Sequence, residues 1–254
     1  MSKARILSID FDYFQDTTRK TVLKCYPDGI DLPTEITCVT WMNSYCKSSP
    51  SYDLIRQVKA NDTLLSTAKI ALNKQKYDTP VIIRQSHLGI WDEIRKRYSF
   101  GMEMYVAHVD FHDDFGNEGT RETIVDCGNW LYHVIKKYKA RLRWYTRNAS
   151  FDCYGINYNE VPAIRESLLP LLLEDEFDMI FLCRSDPWTP PHLDDSFDEL
   201  VNLCKENFRN VDIEDCVSQP RDMDVIYKNA EEIDAQFKAL RERNLQHVNN
   251  NTKT

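Results

Sequence analysis

Four short apolar runs, each closed by an acidic or imidazole side chain, constrain this 254-residue chain more than any other feature. They are Arg5 to Ile9, Val81 to Arg84, Met104 to Val109 and Met179 to Cys183. Runs this short, without a helical period, read as strands buried on both faces. A fifth run, Arg141 to Tyr145, is more alternating. The intervals carry helical patterns over Tyr52 to Lys74, Trp130 to Lys139, Glu160 to Leu173, Asp195 to Asn207 and Asp222 to Arg243. Asn159 is a candidate cap for the third of these, and Asp194 or Asp195 for the fourth. Strands separated by helices predict an α/β fold, a doubly wound, mostly parallel sheet with helices on both faces. With 42% hydrophobic positions, residues 1–246 suit one domain with a sizeable core. The segment from Thr17 to Ser51 lacks a clear period and is rich in turn residues, so it reads as an elaborated surface region placed as a lid. The last eight residues, "HVNNNTKT" (247–254), read as a disordered tail.

The net charge of -8 argues against a nucleic-acid partner, which needs a basic face. It suits metal ions or a cationic substrate. None of the eight cysteines forms a C-x-x-C pair, so a zinc ribbon or thioredoxin motif is not expected. The start, "MSKARILSIDFD", has no apolar segment of signal-peptide length, and no stretch approaches the ~20 apolar residues of a membrane span. A cytoplasmic location with reduced thiols and no membrane partner follows as the expectation.

The polar residues fall where the strands end. "LSIDFDYFQD" gives Asp10 and Asp12, "VIIRQSHLGIWDEI" gives His87, "YVAHVDFHDDFGNEG" gives Asp110, His112 and Asp114, and "IFLCRSDPWTPP" gives Asp186. Open parallel sheets bind ligands at the carboxyl ends of their strands. Separate motifs would thus converge on one edge. D-x-H-x-D straight after a strand would put its three side chains on one face. Such a set is badly solvated without a cation. Oxygen-rich ligation with some imidazole and no thiolate suits manganese or magnesium better than structural zinc. Five carboxylates are too many for one divalent ion, and two ions sharing bridging carboxylates would balance them. His108 shares the parity of Asp110 but is read as a supporting residue, and Asp113 is not expected to be a ligand.

These residues carry a resemblance. "DFHDD" resembles the D-x-H-x-D motif of the ureohydrolases, and "SIDFDYFQD" resembles their S-x-D-x-D strand end. His87, opening the helix "LGIWDEI", is similar to the family's first ligand histidine, and "CGNWLYH" to the Gly-Asn segment before its catalytic histidine. The peptide arginase group, which converts arginine in a ribosomal peptide to ornithine, is the nearest match. It covers about residues 4 to 190. The D-x-D strand comes first here, whereas it follows D-x-H-x-D in arginases, so the resemblance implies an arginase-like fold that is permuted. It also implies two Mn²⁺ per chain. His87, Asp110, Asp114 and Asp10 would hold one, and His112, Asp12, Asp110 and Asp10 the other. It implies that an arginine-containing precursor peptide is the partner, with release of urea. Asp186 is expected to pair with the substrate guanidinium, His133 to move the proton, and Asn129 and Trp130 to contact substrate. "FGNEGTRETIVD" has no copy of the loop that holds a free amino acid's ends, which favours a peptidyl substrate.

Three other classes compete. A deacetylase-type amidohydrolase of the same superfamily needs one zinc held by two Asp and one His. A haloacid-dehalogenase-type phosphatase also starts with an apolar strand and D-x-D, with Asp194 and Asp195 as further support, but Phe14 stands where it wants Thr or Val. A non-catalytic binding module is the third.

Overall fold

A computed structural model describes residues 3–26, 31–116, 119–122, 124–154 and 163–251. Seven parallel strands form one sheet: β1 (Ala4–Asp10), β2 (Val81–Arg84), β3 (Glu103–Val109), β4 (Lys139–Thr146), β5 (Ala163–Arg165), β6 (Met179–Cys183) and β7 (Val211–Ile213). Their order is β5-β4-β3-β1-β6-β2-β7. All five strands expected from the sequence are present. The two edge strands, β5 and β7, are three residues each and too short to show as apolar runs.

Alternation along the strands feeds two cores. Leu7, Ile9, Ala107, Val109, Ile180 and Leu182 face one core, which also takes Trp41, Leu64, Phe197 and Ile226 from helices. Ile6, Met104, Val106, Met179 and Phe181 face the other, with Ile90, Ile94, Trp130 and Val134. Both faces are therefore covered, as a doubly wound sheet requires.

The helices include α1 (Arg19–Cys25), α2 (Thr34–Tyr45), α3 (Asp62–Asn73), α4 (Gly89–Arg97), α5 (Trp130–Lys137), α6 (Asp194–Asn207) and α7 (Met223–Asn251), beside the short Tyr52–Ile55 and Asn148–Tyr154. Several depart from expectation for local reasons. Tyr52 to Lys74 is not one helix. Asn61 interrupts it by capping α3, its side chain accepting from Leu64 N at 3.0 Å. Asn159 lies outside the described residues. Within Glu160 to Leu173, expected as α-helix, Ala163–Arg165 is strand β5, and Glu166–Glu174 is 3₁₀ with Pro170 inside it. Residues 247–251 of the expected tail continue α7, which meets no Gly or Pro after Pro220.

The segment read as a surface lid is instead built into the molecule. Thr37, Trp41 and Tyr45 of α2, one turn apart, are all buried. The indole Nε1 of Trp41 donates to the Asp186 carbonyl at 2.8 Å.

From β1 the chain leaves towards β2, and from β3 it leaves the other way, towards β4. The crevice beyond the carboxyl ends of β1 and β3 is thus a switch point of the sheet, where side chains at both strand ends open to a common space.

Candidate metal centre

At that switch point β1 ends on Asp10, whose Oδ1 accepts the Asp12 amide at 3.0 Å and so starts the 3₁₀ turn Phe11–Phe14. Both carboxylates are buried. β3 stops at Val109, so Asp110, His112 and Asp114 do not share a strand face as expected. They lie on a loop, and Asp114 reaches the cluster through a left-handed backbone with φ 48°. Asp tolerates that region better than most residues, and such strain concentrates at functional sites. His87 stands between β2 and α4. Gly89, two residues on, lets α4 start against β2. A Cβ there would sit 3.0 Å from Arg84 Cγ.

Three carboxylates converge on one imidazole nitrogen. His87 Nδ1 lies 3.1 Å from Asp10 Oδ2, 3.0 Å from Asp110 Oδ2 and 3.1 Å from Asp114 Oδ2. Yet Nδ1 and Asp110 Oδ2 are buried without a properly angled hydrogen bond among the described residues. The four atoms face one shared space. Around an octahedral ion with bonds of about 2.1 Å, adjacent ligand atoms stand about 3.0 Å apart. The set fits a hard cation.

A second group adjoins the first. His112 Nδ1 lies 2.9 Å from Asp12 Oδ2 and 3.6 Å from Asp110 Oδ1. Asp110 therefore turns one oxygen towards each group, Oδ1 also accepting the His112 amide at 2.6 Å. Asp12 Oδ2 is buried and, like Nδ1 of His87, lacks an angled hydrogen bond. Asp10 belongs to the first group by its Oδ2, while its Oδ1 is taken by the Asp12 amide.

The electrostatics match a site short of positive charge. Burial, then the Asp12 charge, pushes the Asp10 carboxyl up to about 6. Burial, then Asp110, pushes Asp12 up to about 6. Burial alone would lower His87, but Asp114, Asp10 and Asp110 hold it well above the usual imidazole range. Buried polar groups this ill-matched are costly without a compensating ion.

The surrounding side chains hold the ligands in place. Ser8 Oγ lies 2.6 Å from His87 Nε2 and fixes the ring with Nδ1 towards the carboxylates. Phe181 stacks on that ring at 5.7 Å. Trp130 Nε1 donates to Asp114 Oδ2 at 2.6 Å, which makes Trp130 a support for a ligand and not the substrate contact expected of it. His108 is fully buried under the site, its Nε2 3.4 Å from Asp110 Oδ2 and 3.8 Å from Asp114 Oδ2. Burial lowers it to about 3, so it is neutral. Its position among the potential ligands goes beyond the supporting role read from the sequence. Cys183 lies near Asp10 and His87, but burial, then Asp10, keeps its thiol protonated.

Three expected roles are corrected by the contacts. Asp186 is fully buried, and both its oxygens are taken by Arg184, with Nε to Oδ1 at 2.5 Å and a terminal nitrogen to Oδ2 at 3.0 Å. The left-handed turn at Ser185 (φ 57°) folds these i and i+2 side chains together. Arg221 and Arg184 outweigh burial and hold Asp186 below the usual carboxylate range. It is thus already paired with a guanidinium of its own chain. His133 packs against Trp91 and Tyr132 and touches no ligand among the described residues. Asn129 ties its own loop, its Oδ1 accepting from Asp126 N and its Nδ2 donating to the Thr120 and Ile124 carbonyls. Asp194, the support for a phosphatase, forms a buried bidentate pair with Arg221.

A small cleft opens on the second group. Asp12 and His112 form its floor, and Gln15, Tyr26, Phe111 and Trp188 its walls. The His112 side chain is 24% exposed, against 6% or less for the other five ligands. The centre is reached from this side. Among the described residues, no helix is long and apolar enough to cross a membrane. In comparisons with known proteins, no family model, no curated protein and no solved structure matches the chain.

Proposed function

We propose that this protein is a binuclear manganese hydrolase that converts arginine within a ribosomally made peptide to ornithine and urea. The observation that carries the reading is Asp110, which presents one oxygen to each of two adjoining ligand groups. His87, Asp10, Asp110 and Asp114 would hold one ion, and His112, Asp12 and Asp110 the other. Two divalent ions so held supply Lewis acidity and ionise water near neutral pH. The chain's own part is orientation and exclusion. Ser8 and Trp130 lock His87 and Asp114, and burial of the ligands keeps bulk water from the first group. The aromatic rings of Tyr26, Phe111 and Trp188 beside His112 suit an alkyl stem that ends in a planar cation. Hydrolysis adds one water and breaks one guanidinium C–N bond, and the departing amine takes a proton.

The test is to incubate the manganese-loaded protein with arginine-containing peptides, free arginine and agmatine. Urea and a peptide mass loss of one cyanamide unit are expected from peptides. Faster urea release from free arginine than from every peptide would sink the reading.

A second reading is a single-zinc amidohydrolase of the deacetylase type. The group Asp12, Asp110 and His112 favours it, being two carboxylates and one imidazole. Metal content decides: two manganese ions per chain, or one zinc.

A further inference from the structure

We propose that Asp31 is the anchor for the substrate's cationic head, and this rests on the guanidinium-hydrolase reading above. The residue comes from the segment before α2, which the sequence does not connect with the motifs.

Geometry brings it to the centre. Ser86, the neighbour of His87, donates its hydroxyl to Asp31 Oδ2. Three residues later Thr34 Oγ1 donates to Gln85 Oε1 at 3.5 Å. Trp41, on the same helix as Thr34, is tied to the Asp186 carbonyl. Asp31 is thus fixed over the end of β2, beside a ligand histidine. Asp31 therefore lies one hydrogen bond from the residue that precedes His87.

One oxygen of Asp31 remains unused. Oδ1 is buried and has no hydrogen-bond partner among the described residues. Nor does any described Lys or Arg pair with it. The two buried arginines nearby, Arg184 and Arg221, are committed to Asp186 and Asp194. Burial raises the carboxyl, as expected of a charge that lacks its counter-ion. A buried acceptor left open costs free energy, so an external donor is rewarded. A guanidinium presents N–H donors in a planar fork that matches a carboxylate, with Ser86 leaving lone pairs free on Oδ2. Asp186, by contrast, has no open oxygen for that fork.

The experiment measures binding, not turnover. Butylguanidinium and its neutral isostere butylurea are titrated calorimetrically into manganese-loaded wild type and Asp31→Asn, with metal content determined for each. Wild type should prefer the cation by at least tenfold. Asp31→Asn should keep its metal and its butylurea affinity and lose that preference. Asp31→Ser carries the same expectation if the Asn variant does not fold. The proposal is overturned if wild type shows no preference, if the variant retains it, or if the variant loses a metal ion, which would make Asp31 a ligand. A preference that depends on Asp31 in a protein that releases urea from no peptide would uphold the anchor and defeat the hydrolase reading.

Discussion

Ser8 Oγ and His87 Nε2 are 2.6 Å apart although 79 residues separate them in the chain. The contact commits Nε2 to the hydroxyl and leaves Nδ1 facing three carboxylates. Ser8→Ala should therefore weaken metal binding by roughly 10–100-fold while the fold survives, since only one small polar group is lost. Calorimetric titration with Mn²⁺ checks it, and an unchanged affinity would show that His87 is oriented by packing on Phe181 alone.

Asp110→Asn should do more damage than either histidine variant. Asp110 alone serves both ligand groups. Elemental analysis should find both sites emptied in Asp110→Asn, and one site each emptied in His87→Ala and His112→Ala. Activity should fall by orders of magnitude in all three. An Asp110→Asn protein that keeps one ion at full occupancy would contradict the sharing.

Asp186→Asn is expected to act on stability. It strips the charge from a fully buried bidentate pair and leaves Arg184 with Asp194, 3.6 Å away, as its charged partner, at a cost of about 3 kcal/mol. Chemical denaturation should register that loss, while the metal content of the folded fraction stays at the wild-type value. A variant as stable as wild type would show that Cys216 and Gln219, whose carbonyls also accept from Arg184, suffice to hold it.

Asp10 and Asp12 set a pH signature. Their folded carboxyls titrate at about 6, above the unfolded value of about 4. Between those pH values the metal-free folded state holds protons that the unfolded chain has lost, so its stability falls as pH rises through the window. A bound cation removes that penalty by replacing the protons. The gap in Tm between manganese-loaded and chelator-treated protein should widen from pH 5 to pH 7. A constant or narrowing gap would mean that these carboxyls are not at the metal.

What the sequence reveals depends on the range of the interaction. Four of the strands are legible as short, mostly apolar runs and β4 as a more alternating one, and Asp10, Asp12, His87, Asp110, His112 and Asp114 are legible because each follows an apolar run. The contacts that orient them are less so. Ser8 lies inside the same motif, yet nothing local says that its partner is His87. The loop path of D-x-H-x-D depends on the left-handed Asp114, which strand parity does not foresee. "RSD" at 184–186 shows an acid beside a base, but only the turn at Ser185 makes them a pair. Asp31 gives no local sign, because its partner Ser86 is distant in the chain. The buried face of α2, with Thr37, Trp41 and Tyr45, is not legible, because Ile36 and Val39 place apolar residues on the exposed side of the same helix.

The central position of β1 also governs the order in which the molecule can assemble. β1 precedes its sheet neighbours in the sequence, yet Ala4 pairs with Met104 and Ile6 with Met179. Asp10 and Asp12 must wait for His87 and His112 to be made before the centre can form. Closing contacts of such long sequence separation is slow and leaves an apolar strand open to wrong partners meanwhile. Maturation of the centre is therefore a late event, and nascent chains arrested before Cys183 should be unable to retain metal.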